Sequence, residues 1–429
     1  MKLQKIEVPE WKETLYLGEH SSGLGVFIVP KPGFQKKYAM FGTRYGSIDN
    51  TFRPLGQSEK ITVPDGIAHF LEHKLFEQPD GSNAFDLFSK YGANANAFTS
   101  FTSTCYLFSC TDHFSENLAH LLDYVQEPYF TDENVAKEQG IIGQEIRMYD
   151  DDPEWQVQFG LLKALYVNHP VKIDIAGTIE SISHIDKDVL YTCYNTFYNP
   201  ANMALCIAGD VDVDETADLI ERHIRTDRPS GRVESYYPDE PAHVAEKLRE
   251  QKLDVSIPLF DIGFKDNAPA TGDQLLKNEI ATKVLLKLLA GRSSKLYTDL
   301  YSEGLVNTSF ATDLMIEPQF CCAIVGGESE QPLEVQRRLL AAIEGMKRDG
   351  IDQKAFTRVK HALYGNFLRG FNDVEDIAGT MCRSILDGVN PFQFKAVYDT
   401  VDVAFATQRL HDVFCEDTMA MSIVWPANA

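Results

Sequence analysis

Alternating and helical patterns of apolar residues occur in a similar order in the two halves of the chain. In the first half, alternation predicts a strand at residues 24–29, with a turn at 30–33 and a returning strand at 38–42. The threonine and aromatic content of residues 93–108 predicts a strand or hairpin there. A helical spacing of apolar residues predicts helices at 66–77, 83–90, 114–127 and 131–150. A helical pair up to about residue 198, a buried strand at 203–210 and a short helix at 214–224 complete this half.

The second half repeats this order after a stretch rich in proline and charge. It has predicted strands at 255–264, 320–326 and 419–424, with predicted helices at 272–289, 297–303, 332–348 and 353–370. We therefore predict an α+β fold with two similar domains, each an antiparallel-rich sheet with helices packed on one face. The predicted boundaries are a first domain at 1–225, a linker at 226–251 and a second domain at 252–429.

Three polar residues interrupt the apolar helix at 66–77. His69, Glu72 and His73 lie three and four residues apart, so they project from the same face of the helix, and Asp65 is its predicted N-cap. Such a pattern can arise by accident, but burying these groups in an apolar helix is costly unless a ligand satisfies them. Two imidazoles suit zinc, and a carboxylate between them is placed to accept a proton from water.

Composition narrows the classes of partner. The chain has 429 residues, 44% of them hydrophobic, and a net charge of −23, which argues against a nucleic-acid partner. Its start lacks the apolar segment of a secretory signal, and no stretch is apolar for long enough to span a membrane. None of the eight cysteines forms a CxxC pair. We therefore expect a cytoplasmic protein without a membrane or nucleic-acid partner.

Two further segments carry candidate functional residues. Glu138 and Glu145 are seven residues apart in the helix at 131–150, so they share a face, and spacing alone does not choose one as a third metal ligand. A solvated helix face is the plainer interpretation of both. The strand at 93–108 contains Asn96, Ala97 and Phe98, for which a simple core strand is the plainer interpretation.

Taken together, these motifs resemble the insulinase/pitrilysin family of inverzincin zinc metallopeptidases. The similarity is to its short members related to mitochondrial processing peptidase, and within them to a bacterial branch labelled by association with elongation factor P modification. The motifs that carry it are His69-Phe70-Leu71-Glu72-His73, the helix from Glu138 to Glu145, and Asn96-Ala97-Phe98-Thr99-Ser100.

The resemblance implies a role for each matched residue. It implies one zinc ion held by His69, His73 and Glu145, with Glu72 as general base. Glu138 would then orient a ligand from outside the ligand set. By the same resemblance, an extended peptide substrate would pair with the strand at Asn96, Ala97 and Phe98.

One departure from the family pattern bears on partners. Members that act through a single type of chain carry an Arg and a Tyr in the second domain, where this sequence has Tyr301 and Asn307. The resemblance therefore implies a partner that completes the site, either a homologous chain without zinc in a heterodimer or a second copy in a homodimer.

Two other functions stay open at this point. The chain could be a non-catalytic scaffold or chaperone-like member of the same fold, although a scaffold has no physical reason to keep the four residues His69, Glu72, His73 and Glu145. It could also be a zinc-dependent hydrolase of a non-peptide substrate, against which the peptide-pairing strand argues weakly.

Overall fold

The computed structural model describes residues 1–266 and 270–427. Its strands are β1 (Leu3–Val8), β2 (Glu13–Glu19), β3 (Gly25–Pro30), β4 (Lys37–Thr43), β5 (Thr51–Arg53), β6 (Ile61–Thr62), β7 (Asn94–Thr99), β8 (Thr104–Cys110), β9 (Met203–Gly209), β10 (Glu234–Ser235), β11 (Leu248–Leu253), β12 (Leu259–Asp266), β13 (Ala311–Ile316), β14 (Cys321–Glu328) and β15 (Met419–Pro426).

The α-helices lie between these strands, several of them in a row after β8 and after β14. They are α1 (Ile67–Leu75), α2 (Ala84–Lys90), α3 (Phe114–Val125), α4 (Asp132–Asp150), α5 (Pro153–Leu165), α6 (Ile179–Ile182), α7 (Lys187–Phe197), α8 (Val213–His223), α9 (Gly272–Ala290), α10 (Lys295–Ser302), α11 (Pro332–Asp349), α12 (Gln353–Gly370), α13 (Val374–Leu386), α14 (Phe394–Thr400) and α15 (Val403–Val413). Among the described residues, none of these helices is long and apolar enough to cross a membrane.

The chain forms two compact units, and each is assembled from separate segments. The first unit comprises Met1–Ile146, Asp174–Tyr237 and Leu368–Pro391. The second comprises Arg147–Ile173, Pro238–Phe367 and the chain from Phe392 onward. Each predicted domain is one continuous stretch of the chain. In the structure, Arg147–Ile173 from the first half belongs to the second unit, and Leu368–Pro391 from the second half belongs to the first. The crossing at Tyr237–Pro238 lies inside the stretch predicted as a linker, which also contains β10 and the start of β11.

The first unit is built on a seven-stranded sheet. Its strand order is β1-β2-β3-β9-β4-β8-β7, with β3 and β9 parallel and the other neighbours antiparallel. The central strands β4 and β9 are buried along almost their whole length. Such strands are continuous apolar runs because both of their faces are covered. The strand β7 forms one edge of the sheet.

The second unit repeats the core of this sheet. Its five strands run in the order β11-β15-β12-β14-β13, and β11 and β15 are again the parallel pair. Matched in sequence order, they correspond to β3-β9-β4-β8-β7. The prediction of an α+β fold with two similar domains is confirmed.

A helix from the other half of the chain covers one face of each sheet. In the first unit, α13 packs on β4 and β9, and a Cβ added to Gly42 would lie 2.9 Å from Leu386 Cδ1. In the second unit, α5 packs on β12 and β15, and a Cβ added to Gly263 would lie 2.8 Å from Leu165 Cδ1. Helices of the predicted layer also pack on these sheets: α3 on β4 and β8 in the first unit, and α9 on β13 and β14 in the second. The patterns in the sequence predicted neither α5 nor α13.

Candidate metal centre

The helix α1 carries the histidine motif into the interior of the first unit. Its apolar side chains Ile67, Phe70 and Leu71 are buried, so the helix is fixed by its hydrophobic face. The predicted N-cap Asp65 is wrong: the cap is Gly66, with φ 88° and no side-chain hydrogen bond. The Asp65 carboxylate instead accepts a hydrogen bond from Asn50 Nδ2 at 2.8 Å.

The structure brings His69, His73 and Glu145 together. One donor atom from each residue lies within 4.8 Å of the donor atoms of the other two. Among the described residues, this is the group of His, Cys, Asp or Glu side chains that could hold a metal ion. Glu145 Oε1 lies 3.7 Å from His69 Nε2, and its Oε2 lies 3.5 Å from His73 Nε2. The carboxylate of α4 therefore faces both imidazoles of α1.

Burial sets the protonation of the first histidine. His69 is 8% exposed, and burial, helped by the neighbouring His73, lowers the pKa of its imidazole to about 3. His69 is therefore neutral at physiological pH and keeps a lone pair for a metal. For His73, burial alone would lower the pKa, but the hydrogen bond to Glu138 and the charges of Glu72 and Glu145 raise it overall.

Glu138 lies behind His73, away from the donors that face Glu145. Its Oε1 is 3.0 Å from His73 Nδ1, so a protonated Nδ1 donates to it and His73 Nε2 is left facing Glu145. Burial would raise the pKa of Glu138, but the His73 hydrogen bond, with Lys74 nearby, lowers it. Glu138 is thus an ionised carboxylate in the position of an orienting group, which spacing alone could not distinguish from a ligand.

Glu72 connects the histidine helix to the sheet. Glu72 is 7% exposed, and burial raises the pKa of its carboxyl group. Thr99 at the end of β7 donates a hydrogen bond from Oγ1 to Glu72 Oε2 at 2.8 Å. Thr99 was not predicted as a site residue, because its role depends on how β7 lies against α1.

The predicted substrate residues lie on the edge strand β7. Asn96 and Phe98 are exposed, Phe98 to 42%, and Ala97 is part-buried. The Ser100 N–H donates a hydrogen bond to Ser103 O at the turn into β8. Residues along an antiparallel strand alternate between bonding the neighbouring strand and facing away from it. Ala97 is three residues before Ser100, so its N–H and C=O point away from β8. The Ala97 N–H donates to Asn96 Oδ1 at 2.9 Å.

The second unit has no counterpart of the histidine motif. The helix α9, which follows β12 as α1 follows β4, contains no histidine. Tyr301 is 50% exposed and stacks on Tyr297, with ring centroids 5.6 Å apart. Asn307 Nδ2 donates to Glu328 Oε2 at 2.6 Å. The two positions noted in the sequence as departures therefore carry a phenol and an amide.

Comparison with known proteins assigns the chain to a family. Residues 62–179 match the family model described as insulinase, peptidase family M16, and residues 184–363 match the model described as the peptidase M16 inactive domain. The zinc protease YmfH of Bacillus subtilis, described as uncharacterized, is 42% identical over 99% of this chain and 100% of its own length. The chain belongs to the insulinase family. All the clustered residues of α1 and α4 lie within the first match.

Solved structures agree with this membership of the insulinase family. An M16-like protein from Alicyclobacillus acidocaldarius is 36% identical, with a TM-score of 0.93 over 99% of both chains. A protease from Helicobacter pylori shares the fold at 18% identity, with a TM-score of 0.79 over 96% of this chain and 99% of that one. A second Bacillus subtilis relative, YmxG, also described as an uncharacterized zinc protease, is 28% identical over 73% of this chain and 77% of its own.

The donor set fits the metal in the relatives' names. Two imidazoles and one carboxylate, with a fourth position open, are the ligands of a catalytic zinc site. A carboxylate on the far nitrogen of a ligating histidine is the usual support for such a site, and Glu138 provides it for His73. The residues present therefore could hold zinc.

Proposed function

We propose that this chain is a zinc-dependent endopeptidase subunit that hydrolyses peptides or small unfolded polypeptides. The observation that carries the proposal is the position of Glu72. It lies between the two histidines of α1 and accepts a hydrogen bond from Thr99 on the edge strand β7. A proton acceptor, a set of metal ligands and a sheet edge that can take up a peptide are thus adjacent in one unit.

Each residue has a distinct task in this proposal. His69, His73 and Glu145 would hold zinc, which lowers the pKa of a bound water and polarises a peptide carbonyl. Glu72 accepts the proton of the attacking water and delivers it to the leaving amine. Burial raises the pKa of Glu72, which brings it closer to the pH at which a general acid–base residue works best.

The substrate is proposed to bind as an additional strand beside β7. An extended peptide pairs with the outward main-chain groups of Ala97, and Phe98 offers an exposed ring to a substrate side chain. The Asn96 side chain holds the Ala97 N–H in the free protein. It has to release that N–H when a peptide binds.

A partner chain is proposed to complete the site. By the family resemblance, Tyr301 and Asn307 take the places of an Arg and a Tyr that would polarise and position the substrate carbonyl, and neither provides a positive charge. A homologous chain without zinc, or a second copy of this chain, would supply the missing groups. The eight cysteines are free thiols, seven of them buried, which supports a reducing, cytoplasmic setting for this assembly.

The test is cleavage of a mixed peptide library by the purified, zinc-loaded chain. The matched control is Glu72→Gln, which removes the proton acceptor without touching the three ligands. We expect Glu72→Gln to bind zinc as the natural chain does and to lose at least a hundredfold in cleavage rate. Turnover by this variant at the natural rate would remove Glu72 from the reaction.

Three outcomes separate the parts of the proposal. Cleavage by the chain alone, lost in Glu72→Gln, supports the peptidase and contradicts the need for a partner. If the chain binds stoichiometric zinc but cleaves no peptide, the result supports a zinc-binding subunit that needs a partner. The cleavage assay is then repeated with a homologous chain added. Failure to bind zinc contradicts the peptidase and favours a non-catalytic scaffold of the same fold.

A further inference from the structure

A buried lysine follows the second histidine directly. The side chain of Lys74 has no exposed surface, although it lies on α1 among apolar residues. A buried ammonium is costly unless carboxylates compensate its charge. Lys74 Nζ contacts Glu77, one turn further along the chain, and lies 3.7 Å from Glu138 Oε2. Lys74 was not among the site residues predicted from the sequence.

Glu138 links this lysine to a candidate zinc ligand. One of its oxygens faces Lys74, and the other is 3.0 Å from His73 Nδ1. The carboxylate therefore has a partner on each oxygen, the His73 imidazole on one and the Lys74 ammonium on the other, which restrains its rotation. With Glu138 fixed, His73 keeps its proton on Nδ1 and presents Nε2 to Glu145.

We propose that Lys74 is a positioning residue for the metal centre, acting through Glu138 on the orientation of His73. The inference rests on the proposed zinc site and deepens it. The buried charge of Lys74 then helps to orient a zinc ligand, and does not only stabilise α1. Lys74 touches neither substrate nor zinc, so its effect is expected first in zinc affinity.

The first measurement is zinc affinity by competition with a chromophoric chelator. We expect Lys74→Met, which keeps the length of the side chain and removes its charge, to weaken zinc binding about tenfold to a hundredfold. The matched control is Lys265→Met in the second unit. Lys265 is also without exposed surface and lies 2.8 Å from Glu240 Oε1, so its loss removes a comparable buried ion pair. Zinc affinity in Lys265→Met should equal that of the natural chain.

A second set of variants separates Glu138 from Glu77. In Glu77→Gln, Lys74 keeps its contact with Glu138, so we expect this variant to bind zinc with the affinity of the natural chain. In a Glu138→Gln background, Lys74→Met should cause no further loss, because the route to His73 is already broken. If Lys74→Met does not fold, the double variant Lys74→Met with Glu77→Gln removes both charges together, and it should show the same loss of zinc affinity.

The outcomes distinguish this inference from the proposed function. A natural chain that does not bind zinc overturns the proposed function, and with it the inference. If the natural chain binds zinc, natural affinity in Lys74→Met or in the double variant overturns the role of Lys74 alone. An equal loss in Glu77→Gln and Lys74→Met also overturns it, because the lysine would then act through Glu77.

Discussion

Glu138 and Glu145 lie on the same helix, but they face different nitrogens of the histidines. Glu145 approaches Nε2 of both His69 and His73, at 3.7 and 3.5 Å. Glu138 approaches only Nδ1 of His73, at 3.0 Å. A difference of two helical turns thus separates a candidate ligand from the group that orients a ligand.

This difference predicts unequal losses of zinc affinity. Glu145→Ala removes a direct ligand and should weaken zinc binding by more than about a hundredfold, whereas Glu138→Ala should cost about tenfold to a hundredfold. Chelator competition on both variants measures the two losses. A larger loss in Glu138→Ala would overturn Glu145 as the third ligand.

Asp261 predicts a pH dependence of stability in the second unit. It faces a cavity of about 330 Å³ that is also lined by Glu154 and Asp313. Burial, with the charges of Asp313 and Glu154, raises the pKa of Asp261 from 3.8 to about 7. The folded state then binds a proton more tightly than the unfolded state, so the free energy of unfolding falls as the pH rises from about 4 to 7.

Asp261→Asn should remove this pH-dependent loss. We expect the variant to exceed the natural chain by about 4 kcal/mol in its free energy of unfolding at pH 8, and nearly to match it at pH 4. Denaturant unfolding at both pH values measures the difference, with the exposed Asp254→Asn as the control. An equal difference at both pH values would show that the charge of Asp261 is not its source.

At the scale of the element, the start of α1 depends on a close approach of two backbone segments. Gly66 has φ 88°, and a Cβ there would lie 2.3 Å from Ala176 O. Gly177 lies on the other segment of this contact, and a Cβ added to it would lie 2.5 Å from Asp65 O. No side chain other than hydrogen fits at either glycine, so this contact fixes the start of the helix that carries both histidines.

Gly66→Ala should therefore affect both stability and metal binding. We expect a loss of about 2 kcal/mol or more in the free energy of unfolding, with weaker zinc binding, because α1 must shift to relieve the clash. Gly140→Ala on α4 is the control, because its added methyl meets no heavy atom within 4 Å. It should stabilise the protein slightly. If Gly66→Ala unfolds at the same denaturant concentration as the natural chain, this role of the contact is contradicted.

The elements that the sequence predicted are those with a regular apolar period. The helix α1 follows from such a pattern, whereas the hairpin of β7 and β8 follows from its threonine and aromatic content. The helix α5 does not, because it is buried on several sides and its residues from Phe159 to Leu162 are apolar without a period. Its N-cap, Asp152 before Pro153, was a signal that could have indicated a helix there.

The candidate site shows the same limit. Spacing along one helix was enough to group His69, Glu72 and His73. The roles of Thr99 and Lys74 depend on contacts with other elements, which no local pattern records. Likewise, the choice between Glu138 and Glu145 required the direction of each carboxylate relative to the imidazoles.

At the scale of the whole molecule, the exchange of α5 and α13 makes each half of the chain incomplete. Without α13, one face of the first sheet is uncovered. The apolar side chains that α13 buries include Val374, Ile377, Met381 and Leu386. At about 1.5–3 kcal/mol for each, their burial is comparable with the whole stability of a domain.

A fragment of residues 1–251 should therefore fail to fold on its own. We expect no cooperative thermal transition from this fragment, and recovery of one when residues 368–391 are joined to it through a flexible linker. Circular dichroism on heating measures both, with a scrambled version of the added segment as the control. A cooperative transition in the unassisted fragment would show that α13 is dispensable for the first unit.

The exchange also fixes when each unit can be finished during synthesis. The ribosome completes β9 at Gly209, but the helix that covers β9 begins only at Val374. The second unit waits for its central strand β15, which ends at Pro426. The nascent chain therefore carries an uncovered apolar sheet face from the completion of β9 until α13 has been made, and holdase chaperones that bind such surfaces have that whole interval in which to act.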